Sequence, residues 1–102
     1  MIDITDRQRD IIINILKHYV PDREVWAFGS RVKGTAKSYS DLDLIVIGES
    51  KMTINQLGEL REAFQESELP FRVDVLDWHR TSPEFRRIIG TSGTVRFVPN
   101  TM

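Results

Sequence analysis

Asp41 and Asp43 stand two residues apart with Leu42 between them, directly before the apolar run Leu44-Ile45-Val46-Ile47. The β-branched residues of that run favour a strand, and on a strand residues i and i+2 share a face. Two carboxylates side by side repel, and one is driven towards its protonated form unless a cation lies between them. A divalent ion is the usual answer, and hard Mg²⁺ prefers carboxylate and phosphate oxygen. Upstream, Gly29-Ser30 closes a first apolar run, Val25 to Phe28. A glycine there lets backbone approach a ligand closely. Ser30 offers a hydroxyl, and Arg31, Lys33 and Lys37 offer positive charge to phosphate. Residues 28–44 thus combine a phosphate cradle with a metal-binding pair. The bland alternative is a turn followed by a solvated acidic strand end. The flanking strands, the basic loop and a downstream Val73-Asp74-Val75 argue against it.

The elements that must position these groups are legible from periodicity and end signals. Residues 5–19 read as a helix, with Thr5 as N-cap, Gln8 in capping-box spacing, and an apolar stripe of Ile12, Ile15, Leu16 and Tyr19. Ile11 and Ile13 widen that stripe, which fits either deep burial or a partner surface. Val25–Phe28 is a first strand, and residues 31–38 can start a short helix whose dipole would favour phosphate. Residues 41–47 form a second strand, apolar on both faces like a central one. Thr53 and Gln56 repeat the capping box before a helix that buries Leu57, Leu60, Ala63 and Phe64 and ends near Ser67. Residues 71–77 form a third strand. Ser82 and Pro83 start a last short helix packed by Phe85, Ile88 and Ile89. Gly90 to Gly93 is expected to be a break, and Thr94–Val98 a short edge strand closed by Pro99. This order gives an α/β or α+β two-layer domain over residues 1–102.

With 102 residues, one modest core is the expectation. A net charge of −1 argues against a dedicated nucleic-acid binder, which is usually clearly basic. The absence of cysteine excludes disulfides and thiolate zinc sites. The N-terminal stretch carries no apolar leader core and no run approaches a membrane span, so the expected location is cytoplasmic.

The string Gly29-Ser30-Arg31-x-x-Gly34 … Ser40-Asp41-Leu42-Asp43-Leu44, with Val73-Asp74-Val75 downstream, resembles the signature of the DNA polymerase beta nucleotidyltransferase superfamily. It is most similar to the smallest branch, the minimal nucleotidyltransferases (MNT domains), over about residues 5–98. The resemblance implies a small mixed sheet of three to four strands with helices mainly on one side. It implies that Asp41, Asp43 and Asp74 are metal ligands, with Asp74 either the base for the attacking hydroxyl or a ligand of its metal. Two Mg²⁺ ions about 3.5–4 Å apart would serve the nucleotide phosphates and that hydroxyl. Gly29 and Ser30 would hold the triphosphate. Arg31 would reach phosphate too, although pairing with a carboxylate explains it equally well. The family also implies ATP as substrate, AMP transfer to a tyrosine of a helical HEPN-type partner, and an antitoxin role in a toxin-antitoxin pair. Transfer to a small acceptor and a non-catalytic docking module are the alternatives. Polymerase activity is not expected, because little chain follows Asp74.

Of the remaining residues, Asp77 reads as a strand-end turn residue on the face opposite Asp74, with a reserve role as third carboxylate. His18 and His79 lack partners at metal-ligand spacing. Trp26 and Trp78 read as core or rim aromatics. Tyr39 reads as a loop tyrosine packed on the sheet, and Ser40 as support for Asp41.

Overall fold

The computed structural model describes residues 2–37 and 39–98. Thr5 caps helix α1 (Asp6–Tyr19): its hydroxyl accepts the Gln8 N–H at 3.1 Å, and the Gln8 side chain accepts the Thr5 N–H at 2.9 Å. Strand β1 (Val25–Phe28) leads through Gly29 into a single helical turn, α2 (Ser30–Lys33), and then a loop. Strand β2 (Leu42–Val46) follows. Thr53 and Gln56 build the second capping box at α3 (Ile54–Gln65). Strand β3 (Val73–Asp77) runs into a 3-10 turn, Trp78–Arg80. Ser82 accepts the Phe85 N–H at 3.1 Å to start α4 (Pro83–Ser92), and β4 (Val95–Val98) ends the described chain.

The strands form one mixed sheet in the order β3-β2-β1-β4. β2 and β3 run parallel, joined by α3, whereas β1 is antiparallel to both β2 and β4. β2 is central, as its apolar character on both faces requires. Leu42, Leu44 and Val46 turn to one face, where Ile12 and Leu16 of α1 and Leu57, Leu60 and Phe64 of α3 complete the core. Each of these side chains contributes about 1.5–3 kcal/mol by leaving water. The expected mixed sheet with helices mainly on one side is therefore found, and α4 is the exception. Phe85 meets Phe28 edge-to-face, with ring centroids 6.3 Å apart, on the face opposite the core. Ile13 and Ile15 pack against the core beside Ile12 and Leu16, and Ile11 is half-buried.

The differences from the sequence expectations are local. β2 and β3 are shorter than the expected 41–47 and 71–77. Gly90 does not break α4, which continues to Ser92 and stops at Gly93, where φ is +91°. A helical glycine costs only about 1 kcal/mol, and the buried Ile89 holds that turn down. Tyr19 lies at the end of its helix and is exposed, outside the core stripe. Pro99 lies outside the described residues. No helix among the described residues is long and apolar enough to cross a membrane.

Candidate active site

The parallel pairing of β2 with β3 puts Asp43 and Asp74 directly opposite one another. Phe28 faces Asp43 from the other side, across the β1–β2 pair. The chain leaves Phe28 through Gly29, which takes φ +86° and ψ −161°, a conformation open essentially to glycine alone. A Cβ at Gly29 would overlap Oδ2 of Asp43 and stand 3.1 Å from its Cγ. Glycine at this position is thus what leaves room for the Asp43 carboxylate. Ser30 follows as the first residue of α2, half-buried next to that carboxylate's cradle.

Burial, then the charges of Asp74 and Asp41, push the Asp43 carboxyl from its ordinary 3.8 up to about 6. Among the described residues no ion pair reaches Asp43 or Asp74, while Arg72 pairs with Asp41 across 4.0 Å. Asp43 and Asp74 are therefore held opposite one another by the strand pairing, with no ion pair among the described residues to offset their charge. Asp43 thus feels the charges of both other carboxylates. Even so, among the described residues no three carboxylate or histidine side chains are drawn around one point as a preformed metal cage. A cleft of about 590 Å³ opens beside Asp41 and Asp74, along the outside of β3. A larger one, about 760 Å³, lies among Tyr19, Arg23, Glu24, Gly48 and Glu49. It is at the far end of β1 and β2 and is remote from the carboxylate pair.

A model of the family described as "Polymerase beta, Nucleotidyltransferase" matches residues 10–100. The chain belongs to this nucleotidyltransferase family. A curated relative, "Probable protein adenylyltransferase MntA" of Haemophilus influenzae, is 54% identical over 88 residues, which cover 86% of this chain and 77% of that protein. Among solved structures, a chain of a toxin-antitoxin crystallised with AMP-PNP superposes with a TM-score of 0.73 at 24% identity, covering 88% of this chain and 72% of that one. A chain of the tri-AMPylated Shewanella oneidensis HEPN toxin in complex with its MNT antitoxin gives 0.69 at 22% identity, covering 93% and 72%. At these identities the two structures speak for the fold.

Within this nucleotidyltransferase, Gly29, Ser30, Asp41, Asp43 and Asp74 come to one end of the sheet, as the sequence suggests. Arg31 does not join them. It is buried, and its guanidinium donates to the carbonyls of Asp3 at 2.8 Å, Ser40 at 3.0 Å and Lys37 at 3.3 Å. It also lies 4.1 Å from the centre of the Phe71 ring. Neither the phosphate contact nor the carboxylate pairing expected of Arg31 accounts for these partners. The arginine ties the N-terminal segment, the loop before Asp41 and the entry to β3 together. Lys33 and Lys37 are exposed. Ser40 accepts the Lys37 N–H at 2.9 Å, supporting the loop.

Asp77 points away from the site, as its position three residues past Asp74 dictates. It is buried and accepts the N–H of Met52 at 2.8 Å and of His79 at 3.1 Å, with Arg80 at 3.5 Å. His79 bonds the Gly48 carbonyl, and His18 lies at the exposed end of α1. Trp26 and Trp78 are half-buried rim residues. Tyr39 is not packed on the sheet as expected: it is 72% exposed at the mouth of the cleft, because the loop before β2 is held by Arg31 and not by its tyrosine. Sequence reasoning gave no role to Arg61, whose contacts depend wholly on tertiary structure. It assigned none to Arg72 either, although its place two residues before Asp74 is a usable signal.

Proposed function

We propose that this protein is an Mg²⁺-dependent nucleotidyltransferase that moves AMP from ATP to a hydroxyl of a HEPN-type partner protein, as the antitoxin of a toxin-antitoxin pair. The observation that carries the reading is the pairing of Asp43 with Asp74 beside the Cβ-free cradle of Gly29. The relatives' own descriptions, a protein adenylyltransferase and an MNT antitoxin bound to an AMPylated HEPN toxin, supply the acceptor class.

The residues divide the work. Asp41 and Asp43 would hold the metal on the nucleotide side, and Asp74 would hold it on the acceptor side. A divalent ion there neutralises phosphate charge and lowers the pKa of a bound hydroxyl. Gly29, where backbone can approach closely, and the Ser30 hydroxyl would hold the triphosphate. The acceptor oxygen forms a bond to the α-phosphorus while the bond to the β-phosphate oxygen breaks. Its proton goes to Asp74, and pyrophosphate leaves. The protein contributes positioning and charge balance.

The test is transfer of α-labelled AMP from ATP, in Mg²⁺, to the protein encoded beside this chain. Asp43→Asn and Asp74→Asn serve as controls. Label on the partner that both substitutions abolish supports the reading. A stable complex that takes no label from any nucleoside triphosphate would leave only docking.

A further inference from the structure

β3 is an outer strand, so one side of its backbone is not used by the sheet. The Leu42 N–H bonds the Arg72 carbonyl at 2.9 Å, which fixes the side that is used. Along a strand, alternate residues direct both N–H and C=O to the same neighbour. Arg72, Asp74 and Leu76 therefore face β2, while Val73 and Val75 turn outward. The two outward residues are treated differently. Arg61, reaching over from α3, donates Nε at 3.1 Å and Nη2 at 2.7 Å to the Val75 carbonyl. No group among the described residues bonds the outward N–H or C=O of Val73. The 590 Å³ cleft lies against this stretch, with Tyr39, Gln65 and Arg72 on its walls and Asp41 and Asp74 at one end. The open part of the edge is thus short, and it adjoins the reactive carboxylates.

We propose that this cleft is the acceptor site. An extended peptide segment of the protein substrate, bearing the hydroxyl that is nucleotidylated, pairs with the main chain of Val73, and Arg61 stops the pairing at Val75. This rests on the transfer reading above and adds where and how the acceptor binds. A peptide fits better than a small alcohol because the unused groups are a backbone donor and acceptor in strand conformation, a template for another strand. In such a pair, alternate side chains of the added strand share the face of Asp74. The acceptor hydroxyl on that face meets the carboxylate that takes its proton. Arg61 and Arg72, both exposed along the cleft, favour an acidic residue next to the hydroxyl-bearing one.

Two variants test this without touching the carboxylates. Val73→Pro removes the outward N–H, a change that edge strands tolerate, and exchanges a half-buried valine for another apolar side chain. Gln65→Trp plugs the cleft from the exposed end of α3 and leaves the strand intact. Transfer from ATP to the protein encoded beside this chain is measured against acceptor concentration, and AMP-PNP binding is measured by calorimetry. Both variants are expected to raise the acceptor KM about tenfold, the loss of roughly one hydrogen bond, with AMP-PNP affinity unchanged. An unchanged acceptor KM in both, with wild-type transfer intact, overturns the acceptor site alone. Absence of transfer by the wild type overturns the transfer reading and the acceptor site together.

Discussion

Replacing Asp43 by asparagine removes a charge that the fold holds at a cost. The carboxyl is raised from 3.8 to about 6 by burial, then by Asp74 and Asp41, so the folded chain binds its proton more tightly than the unfolded chain does. Wild-type stability is therefore highest below the unfolded value. It falls as pH rises from about 4 to about 6, and is level above that. Fully expressed, the shift is worth about 3 kcal/mol at 1.36 kcal/mol per pH unit. The group is partly exposed and solvent screens it, so about 1–1.5 kcal/mol is the working figure. Asp43→Asn carries no such penalty. In metal-free buffer it should match the wild type at about pH 4 and exceed it by that amount at about pH 7.5. With a urea slope of about 1 kcal/mol/M for a chain of this size, the midpoint rises by about 1 M. Adding Mg²⁺ should then stabilise the wild type selectively, because binding to the folded state alone contributes RT ln(1 + [L]/Kd). Urea titrations across this pH range, with EDTA and with Mg²⁺, measure every part. A variant less stable than wild type at neutral pH, or a difference independent of pH, would refute the electrostatic account of the site.

Gly29→Ala should lower stability by about 2–4 kcal/mol, since it combines a forbidden φ with overlap of the Asp43 carboxylate; urea unfolding reads the loss, and labelled AMP transfer should fall with it. Arg31→Met should cost about 2–3 kcal/mol by leaving three carbonyls without their donor. AMP-PNP affinity measured well below the unfolding midpoint should stay within about twofold, the loss of less than one hydrogen bond, and a large selective loss there would show that Arg31 does contact phosphate. Thr53→Ala removes one capping bond and should lower the urea midpoint by the equivalent of about 1 kcal/mol. EDTA should abolish transfer and Mn²⁺ should restore it, because both ions accept the same oxygen donors.

Much of this protein is written locally. Both capping boxes, the Ser82-Pro83 helix start and the central strand follow from side chains acting within a turn or a pleat, so they are readable without the fold. The same is true of the carboxylates: alternation places Asp43 and Asp74 on defined faces and turns Asp77 away. What alternation does not supply is register. Asp43 meets Asp74 only because β2 and β3 pair in parallel at that offset, a relation between segments thirty-one residues apart. Arg31 shows the same limit in reverse. Its neighbours in sequence, a glycine-serine turn and a lysine, suggest phosphate. Its partners in space are carbonyls from Asp3, Lys37 and Ser40 and the face of Phe71, so burial converts a candidate ligand contact into a loop clamp. Arg61 sealing Val75, and the open edge at Val73 beside it, carry no sequence signal at all, since which strand lies at the edge of a sheet is fixed by strand order. The sequence by itself determined the chemistry and the element that carries each group; the tertiary structure alone decided which groups meet, because strand pairing and burial depend on contacts distant along the chain.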